Sequence, residues 1–198
     1  MKPLVVATHN PKKAGEMVRI LSSALPDRTI LTLADFPNAP EPEETGADYE
    51  ANALLKARSG VKATGVECIA DDAGLEIDAM DGAPGLYSKR FGGEDLPFPE
   101  KIARILELLR DVPEDRRTAR FRCWVAVASP EGDEATFEGI CEGRIGLAPS
   151  GNGGFGYDPI FSLPELGRTM ADLSPDEKHA ISHRGKVLAK ALAYLRGA

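Results

Sequence analysis

The sequence predicts an α/β protein built on a mixed β-sheet, and three observations support this fold class. Short β-forming runs alternate along the chain with segments whose apolar residues recur at helical spacing. The chain opens with a strand, a polar loop and a helix, which is the pattern of parallel α/β units. Two long β-rich segments, "ARFRCWVAVASP" and "EATFEGICEGRIGLAP", meet across Pro130 to Asp133, and this short connection indicates an antiparallel pair.

The first half of the chain divides into five segments. "KPLVVATHNPKKAGEMVRILSSAL" predicts the opening strand and helix, and "RTILTLADF" a second strand. "PNAPEPEETG" is a proline-rich acidic loop. "ADYEANALLKARSGVKATG" predicts a helix that stops at Gly65. "ECIADDAGLEIDAMDGAPG" predicts two short strands with a turn near Asp72 to Gly74.

The second half adds two helical regions around the long strand pair. "PEKIARILELLR", residues 99–110, places Ile102, Ile105, Leu106 and Leu109 on one face of a helix. Ser174 and Glu177 match a capping box with a proline at the first helical position, so a last helix is expected from there to Arg196, with a break near Ser182.

Length and composition restrict the class of protein. The 198 residues suit a single domain, 1–198, and 42% hydrophobic with 28% charged residues is ordinary globular composition. The net charge of −7 argues against a nucleic-acid polymer as partner, although a small phosphate ligand needs only local donors. Three widely spaced cysteines, with neither a signal-peptide core nor a membrane-length apolar run, indicate a cytoplasmic protein that has no membrane partner.

"GNGGFGYDPIF", residues 151–161, contains the spacing G-x-G-x-x-G, which is found in dinucleotide-binding turns. Such a turn needs a helix immediately after it, whereas Pro159 and the β-type run "PIFSLP" prevent one. The glycines instead let backbone approach a ligand beside Phe155, Tyr157 and Asp158, an arrangement that would suit a base. A flexible hairpin tip is the alternative that the glycines alone would favour.

Three further groups of residues indicate phosphate, metal and base chemistry. "THNPKK" lies where the first strand gives way to a helix, a position that favours phosphate; an exposed capping turn is the alternative. Mg²⁺ would suit Glu43, Glu44, Asp71 or Asp72, and alternation along a strand lets only one of the two aspartates reach the metal directly; solvated acids in turns are the alternative. "EKHAISHRG" supplies donors that could face a keto oxygen or a phosphate, or merely cover a helix surface.

Taken in order, "ATHNPKK", "EETG", "EANALLKA", "ADDAGLEIDAMDGAPGLYS", "GGFGYDPIF" and "EKHAISHRG" resemble the signatures of the inosine triphosphate pyrophosphatase family, the non-standard purine nucleoside triphosphate pyrophosphatases. The resemblance spans residue 5 to about residue 195. It implies a Mg²⁺-dependent homodimer that converts ITP, dITP or XTP to the monophosphate and pyrophosphate. It also implies a long bent mixed sheet flanked by helices, with two lobes and a central active-site cleft.

The same resemblance assigns roles to individual residues. Asp72 would be the catalytic carboxylate and a metal ligand, with Glu44 as the second metal ligand. The substrate-binding residues toward the phosphates would be Thr8, His9, Asn10, Pro11, Lys12 and Lys13, assisted by Lys56. Ala73 would touch the substrate through its backbone. The residues toward the base would be Phe155, Gly156, Tyr157, Asp158, Lys178, His183 and Arg184.

Three positions depart from the family pattern. His9 replaces a common glycine, Ala73 a common serine, and Phe91 stands where a tyrosine is usual, which puts dimer or substrate contacts of that hydroxyl in doubt. Other interpretations of the chain are a nucleotide-sensing module without turnover, a broader pyrophosphatase that accepts GTP or dUTP, and a dinucleotide oxidoreductase.

Overall fold

The structure is a computed structural model that describes residues 2–197. Seven strands form one sheet in the order β2-β1-β3-β4-β5-β6-β7. The strands are β1 Leu4–Val6, β2 Ile30–Thr32, β3 Cys68–Ile77, β4 Thr118–Ala128, β5 Glu134–Ile145, β6 Phe161–Leu163 and β7 Arg168–Thr169. The helices are α1 Pro11–Ala24, α2 Tyr49–Thr64, α3 Phe98–Leu108, α4 Pro175–Ile181 and α5 His183–Leu195.

The sheet is mixed, which confirms the predicted fold class. β1 pairs in parallel with β2 and with β3, whereas β6 pairs antiparallel with β5 and with β7. The backbone of Ser129 donates to Asp133 at one end of the β4–β5 connection, and Ile145 donates to Arg117 at the other end of these strands. The two long strands therefore run antiparallel, as the short turn between them predicts.

Local capping signals set most helix boundaries where the sequence indicates them. The side chain of Asn10 caps α1 with Pro11 at its first position, and Gly65 ends α2 in the left-handed conformation that glycine adopts without steric cost. The capping box of Ser174 and Glu177 begins α4, and the extended backbone of Ser182 separates α4 from α5. The predicted break near Ser182 is confirmed.

Two strand predictions need correction. Residues 68–77 form one continuous strand, β3, rather than two short strands with a turn near Asp72 to Gly74. β3 lies between β1 and β4, so hydrogen bonding to neighbours on both sides keeps its backbone extended despite the turn-forming residues. The second strand stops at Thr32, because Thr32 and Asp35 form a capping box that turns residues 33–35 into a short 3-10 helix.

The chain divides into two compact units, and β3, β4 and β5 each contribute residues to both. Unit 1 comprises residues 1–72, 123–138 and 187–198, and unit 2 comprises residues 73–122 and 139–186. Each unit has its own apolar core. The unit 1 core includes Val5, Leu33, Ala53, Ala57, Ala70 and Ala126. The unit 2 core includes Leu75, Ile105, Phe121, Ile145, Phe161 and Met170.

No helix within residues 2–197 has both the length and the apolar character needed to cross a membrane.

Candidate functional site

The loop between β1 and α1 presents backbone and side-chain donors at a helix N-terminus in unit 1. Asn10 accepts hydrogen bonds from the backbone N–H groups of Lys12 and Lys13 at 3.0 and 3.3 Å, and Thr8 Oγ1 accepts from the N–H of Asn10 at 3.2 Å. His9 is exposed, with Nε2 3.2 Å from the carbonyl oxygen of Ala39. The capping turn that was one interpretation of "THNPKK" is therefore present, and it orders the segment that would meet a phosphate.

Lys13 reaches from this loop to β3. Its ammonium lies 3.2 Å from Asp71 Oδ2, and the Asp71 side chain is fully buried while that of Lys13 is 17% exposed. The thiol of Cys123 is also 3.8 Å from the same carboxylate oxygen. A buried carboxylate needs such compensation, because its desolvation is costly. Asp71 is therefore paired with Lys13 at the N-terminus of α1, and it is not a solvated acid in a turn.

Lys56, on α2, joins the two carboxylates that the resemblance assigns to the metal. Its ammonium lies 2.6 Å from Glu44 Oε1 and 2.7 Å from Asp72 Oδ1. The proline-rich loop places Glu44 beside the Lys56 ammonium, and β3 places Asp72 there. Ala73, the next residue of β3, is half-buried. Successive strand residues point to opposite faces, which explains why Asp71 and Asp72 have different lysine partners.

Asn52 has no predicted role, yet it connects the two elements that carry the carboxylates. Its Oδ1 accepts from the backbone N–H of Gly46 at 2.8 Å, and its Nδ2 lies 3.3 Å from Asp72 Oδ2. Asn52 is buried and precedes Lys56 by one helical turn, so both side chains project from one face of α2. That four-residue spacing within "EANALLKA" is the signal from which the residue could be found.

Burial and neighbouring charges shift the pKa values of Asp72 and Lys56. Burial raises the pKa of Asp72, and the nearby carboxylate of Glu44 adds to the increase, while Lys56 and Lys13 oppose it. Burial alone would lower the pKa of Lys56, but the attraction of Asp72 and Glu44 outweighs it and raises that pKa. The arrangement therefore favours a charged ammonium beside an aspartate that accepts a proton more readily than a solvated one.

A second group lies in unit 2, where segment 155–158 meets α4. Asp158 Oδ2 accepts from the backbone N–H of Phe155 at 2.8 Å and from Lys178 Nζ at 2.6 Å. Gly154 has a left-handed backbone, and because it lacks a Cβ, which would clash with Asp158 Oδ2, the loop can pass close to this carboxylate. The ammonium of Lys178 and the guanidinium of Arg184 both lie over the Phe155 ring, 4.7 and 5.5 Å from its centroid.

The donors of "EKHAISHRG" are buried, so the alternative that they decorate a helix surface is wrong. Lys178, His183 and Arg184 are 6%, 4% and 2% exposed. His183 stacks on Phe121, with ring centroids 4.7 Å apart. The Tyr157 hydroxyl donates to the backbone carbonyl of Ser88 at 2.8 Å, and burial raises its pKa.

The remaining predicted residues have simpler surroundings. Pro11 and Lys12 are exposed at the start of α1, and Gly156 is half-buried with a left-handed backbone. The glycine-rich loop leads into a short 3-10 helix, Asp158–Ile160, and then β6. A dinucleotide fingerprint requires an α-helix at that point, so the structure supports the rejection of a Rossmann turn.

Known proteins match this chain over nearly its whole length. The model of the Ham1 family matches residues 4–194. A dITP/XTP pyrophosphatase of Geobacter sulfurreducens is 49% identical over 189 residues, which are 96% of this chain and 94% of the relative. That of Exiguobacterium sibiricum is 47% identical over 97% of this chain and 96% of its own length.

Solved structures agree with these sequence matches. A HAM1 protein from Coxiella burnetii superposes with a TM-score of 0.88 at 38% identity, over the full length of both chains. The Staphylococcus aureus Ham1 protein gives a TM-score of 0.88 at 36% identity, over 99% of each chain. The fold, the order of the motifs and the full-length matches show that this chain belongs to the Ham1 family.

Proposed function

We propose that this chain hydrolyses non-standard purine nucleoside triphosphates, namely ITP, dITP and XTP, to the nucleoside monophosphate and pyrophosphate. Relatives at 47–49% identity are named for dITP and XTP. The observation that carries the proposal for this chain is the convergence of Glu44, Lys56 and Asp72 in unit 1. Phosphoryl transfer needs positioned charge rather than a covalent intermediate, and this group supplies charges of both signs.

Mg²⁺ is the proposed cofactor, and the chemistry of the donors fits it. Within residues 2–197, no three His, Cys, Asp or Glu side chains gather as a complete cage. Mg²⁺ does not require one, since it commonly takes one or two carboxylates and completes its shell with water and substrate phosphates. Glu44 and Asp72 already share one cation, the ammonium of Lys56, and they are the residues that would hold Mg²⁺. When bound, the metal would polarise phosphate oxygens and orient a water molecule.

The chain's own residues would then carry the proton and the phosphates. Asp72 would accept the proton of the water that attacks the α-phosphorus, while the bond from this phosphorus to the bridging oxygen of pyrophosphate breaks. Lys13 and Lys56 would offset the negative charge on the departing pyrophosphate, with residues 8–13 binding the phosphates at the N-terminus of α1.

The purine would bind the second group, in unit 2. Phe155 offers a ring for stacking, and His183 and Arg184 would donate to O6 of hypoxanthine or xanthine. Adenine carries an amino group at that position, so these donors would lose their partner, and such a mismatch is rejected by about 10⁴-fold in sites built on hydrogen bonds. We call residues 155–158 the base segment. Asp158 Oδ2 accepts hydrogen bonds from Lys178 and from the Phe155 backbone, and it would thereby hold this segment in its conformation.

We also propose that the protein acts as a homodimer in the cytoplasm. A nucleotide pool enzyme meets its substrates there, and closed C2 dimers are the commonest soluble oligomers.

The decisive experiment measures pyrophosphate release, with added inorganic pyrophosphatase, from ITP, XTP, GTP and ATP. The wild type and Asp72→Asn are compared with and without Mg²⁺. We expect Mg²⁺-dependent cleavage of ITP and XTP by the wild type and a loss of about 10³-fold or more in Asp72→Asn. Asp78→Asn, which alters an aspartate paired with Arg120, is the matched control. Binding of ITP without turnover would support the sensing module, and equal kcat/KM for GTP would support the broader pyrophosphatase.

A further inference from the structure

Lys101 is a lysine that the proposed reaction does not use, although it is almost completely buried. Its side chain belongs to the first turn of α3 and the residue is 2% exposed. Burial lowers its pKa, and the carboxylates of Glu94 and Asp95 partly oppose this. Keeping an ammonium in such a place is costly unless it donates to a fixed acceptor. That acceptor is the backbone carbonyl of Lys89.

Lys101, Phe98 and Tyr157 stack in succession, and Tyr157 lies in the base segment, residues 155–158. The Lys101 ammonium lies over the ring of Phe98, 5.4 Å from the centroid. Phe98 meets the Tyr157 ring edge to face, with centroids 5.2 Å apart. A Cβ on Gly156 would contact Phe98 at 3.6 Å, so the phenyl ring packs against the backbone of the segment as well. We call Lys101, Phe98 and Tyr157 the support column.

The support column is attached at a second point through Ser88. The Tyr157 hydroxyl donates to the Ser88 carbonyl at 2.8 Å. Ser88 Oγ accepts from the backbone N–H of Leu75 on β3 at 2.9 Å and donates to the Gly85 carbonyl at 2.6 Å. Lys89, whose carbonyl Lys101 holds, is the next residue. Tyr157 is thereby fixed by its ring to Phe98 and by its hydroxyl to a segment that is itself bonded to β3.

The groups that would recognise the purine adjoin Tyr157 in sequence. Phe155 is two residues before it, and Asp158, which binds Lys178 and the Phe155 backbone, follows it. A shift of Tyr157 therefore moves both the stacking ring and the carboxylate that holds the base segment. Misplacement of about 1 Å in a binding group can cost about 10²-fold in rate.

We propose that Lys101 and Phe98 are positioning residues for purine recognition, which act by fixing Tyr157 and through it the segment 155–158. The inference rests on the proposed function, since it assigns the segment to the base. It adds α3 and the turn at residues 85–90 to the structure that determines base selectivity.

The test compares Lys101→Met, which keeps the apolar stem and removes the donor, with the wild type. Three quantities are measured: the Kd of IMP by calorimetry, the KM and kcat for ITP and GTP, and the Tm. We expect Lys101→Met to raise the Kd of IMP and the KM of ITP by about tenfold, the equivalent of one lost hydrogen bond to a charged group. The kcat for ITP should stay within about twofold, and the preference for ITP over GTP should fall. Lys101→Arg should restore part of the preference.

Lys190→Met is the matched control, because Lys190 also donates to a backbone carbonyl, that of Glu138, at 2.7 Å but lies outside the support column. A purely structural role for Lys101 would lower the Tm while leaving the Kd of IMP and the ITP preference within twofold of the wild type, and that result would overturn the inference. Should Lys101→Met fail to fold, Phe98→Leu is judged by the same criteria. A wild type that binds IMP but cleaves no ITP would reject the proposed function, while IMP binding would still decide the inference.

Discussion

Lys56 and Asp72 form an ion pair of 2.7 Å in which both side chains are largely buried, and the same ammonium lies 2.6 Å from Glu44. One ammonium therefore lies within ion-pair distance of two carboxylates. These ion pairs fix the positions of the two carboxylates. They also compensate the charge of Asp72, which would be costly to bury without a counterion.

The titration of Asp72 in the metal-free protein should lie above the ordinary range of an aspartate. Because burial raises the pKa of Asp72 above the ordinary value of 3.8, its carboxylate is protonated at higher pH than that of a solvated aspartate. We expect the Asp72 carboxyl carbon, followed by NMR without Mg²⁺ and assigned with Asp72→Asn, to titrate with a midpoint above 3.8. Saturating Mg²⁺ should lower this midpoint, because a bound cation favours the carboxylate form. A midpoint at or below 3.8 in the metal-free protein would contradict the raised pKa, and a midpoint that Mg²⁺ leaves unchanged would contradict Asp72 as a metal ligand.

Replacement of Asn52 should impair the acidic group without removing any charge. Asn52→Ala leaves the Gly46 N–H and one Asp72 oxygen without their partner, which typically costs about 1–3 kcal/mol of stability. Because Asp72 and the loop that carries Glu44 lose the side chain that bonds to both, we expect kcat/KM for ITP to fall by about tenfold or more. Urea unfolding and steady-state kinetics measure the two effects, and the exposed Asn38→Ala is the control. Wild-type kinetics in Asn52→Ala would show that this side chain is dispensable.

The buried pair of Asp158 and Lys178 should show strong coupling. Removing one member leaves the other charged and desolvated, so Lys178→Met alone should destabilise the protein by about 3–5 kcal/mol. The double variant Asp158→Asn with Lys178→Met should lose less than the sum of the single variants. Urea denaturation of the four proteins of the cycle gives this difference. Additive losses would mean that the two side chains act independently.

Acid should weaken the start of α4 through Glu177. Hydrogen bonds from the Ser174 backbone and from Arg168 lower the pKa of Glu177 to about 2. A carboxylate with a depressed folded-state pKa stabilises the protein above its unfolded value, which is about 4.3, and this stabilisation is lost as the pH falls toward 2. The difference in unfolding free energy between the wild type and Glu177→Gln should therefore shrink between pH 5 and about pH 2. A difference that does not change with pH would exclude this role.

Elements governed by neighbours in sequence were predictable. Asn10 and Pro11 at the start of α1, Gly65 at the end of α2 and the capping box of Ser174 act within about four residues, so the sequence displays each cause beside its effect. β3 is the counterexample. Its "DDAG" residues favour a turn locally, but strands on both sides hold the backbone extended, and those strands come from remote parts of the chain.

The candidate site also combines features that local sequence predicts with features that only the fold determines. The motifs identify Lys13, Lys56 and Asp72 as charged groups, but their partners are not visible in any local pattern. Only folding brings Lys13 to Asp71, and only the approach of the acidic loop to α2 lets Asn52 bond to Gly46.

From the sequence alone follow the α/β class, the positions of the helix caps, and an ordered set of motifs that resembles one enzyme family, because each depends on residue type and short spacing. The tertiary structure alone decides that Lys178, His183 and Arg184 are buried, that Asp158 binds Lys178, and that Lys101 supports Tyr157 through Phe98. The physical reason is that burial and ion pairing depend on distances between residues far apart in the chain, and these distances exist only once the sheet and helices have packed.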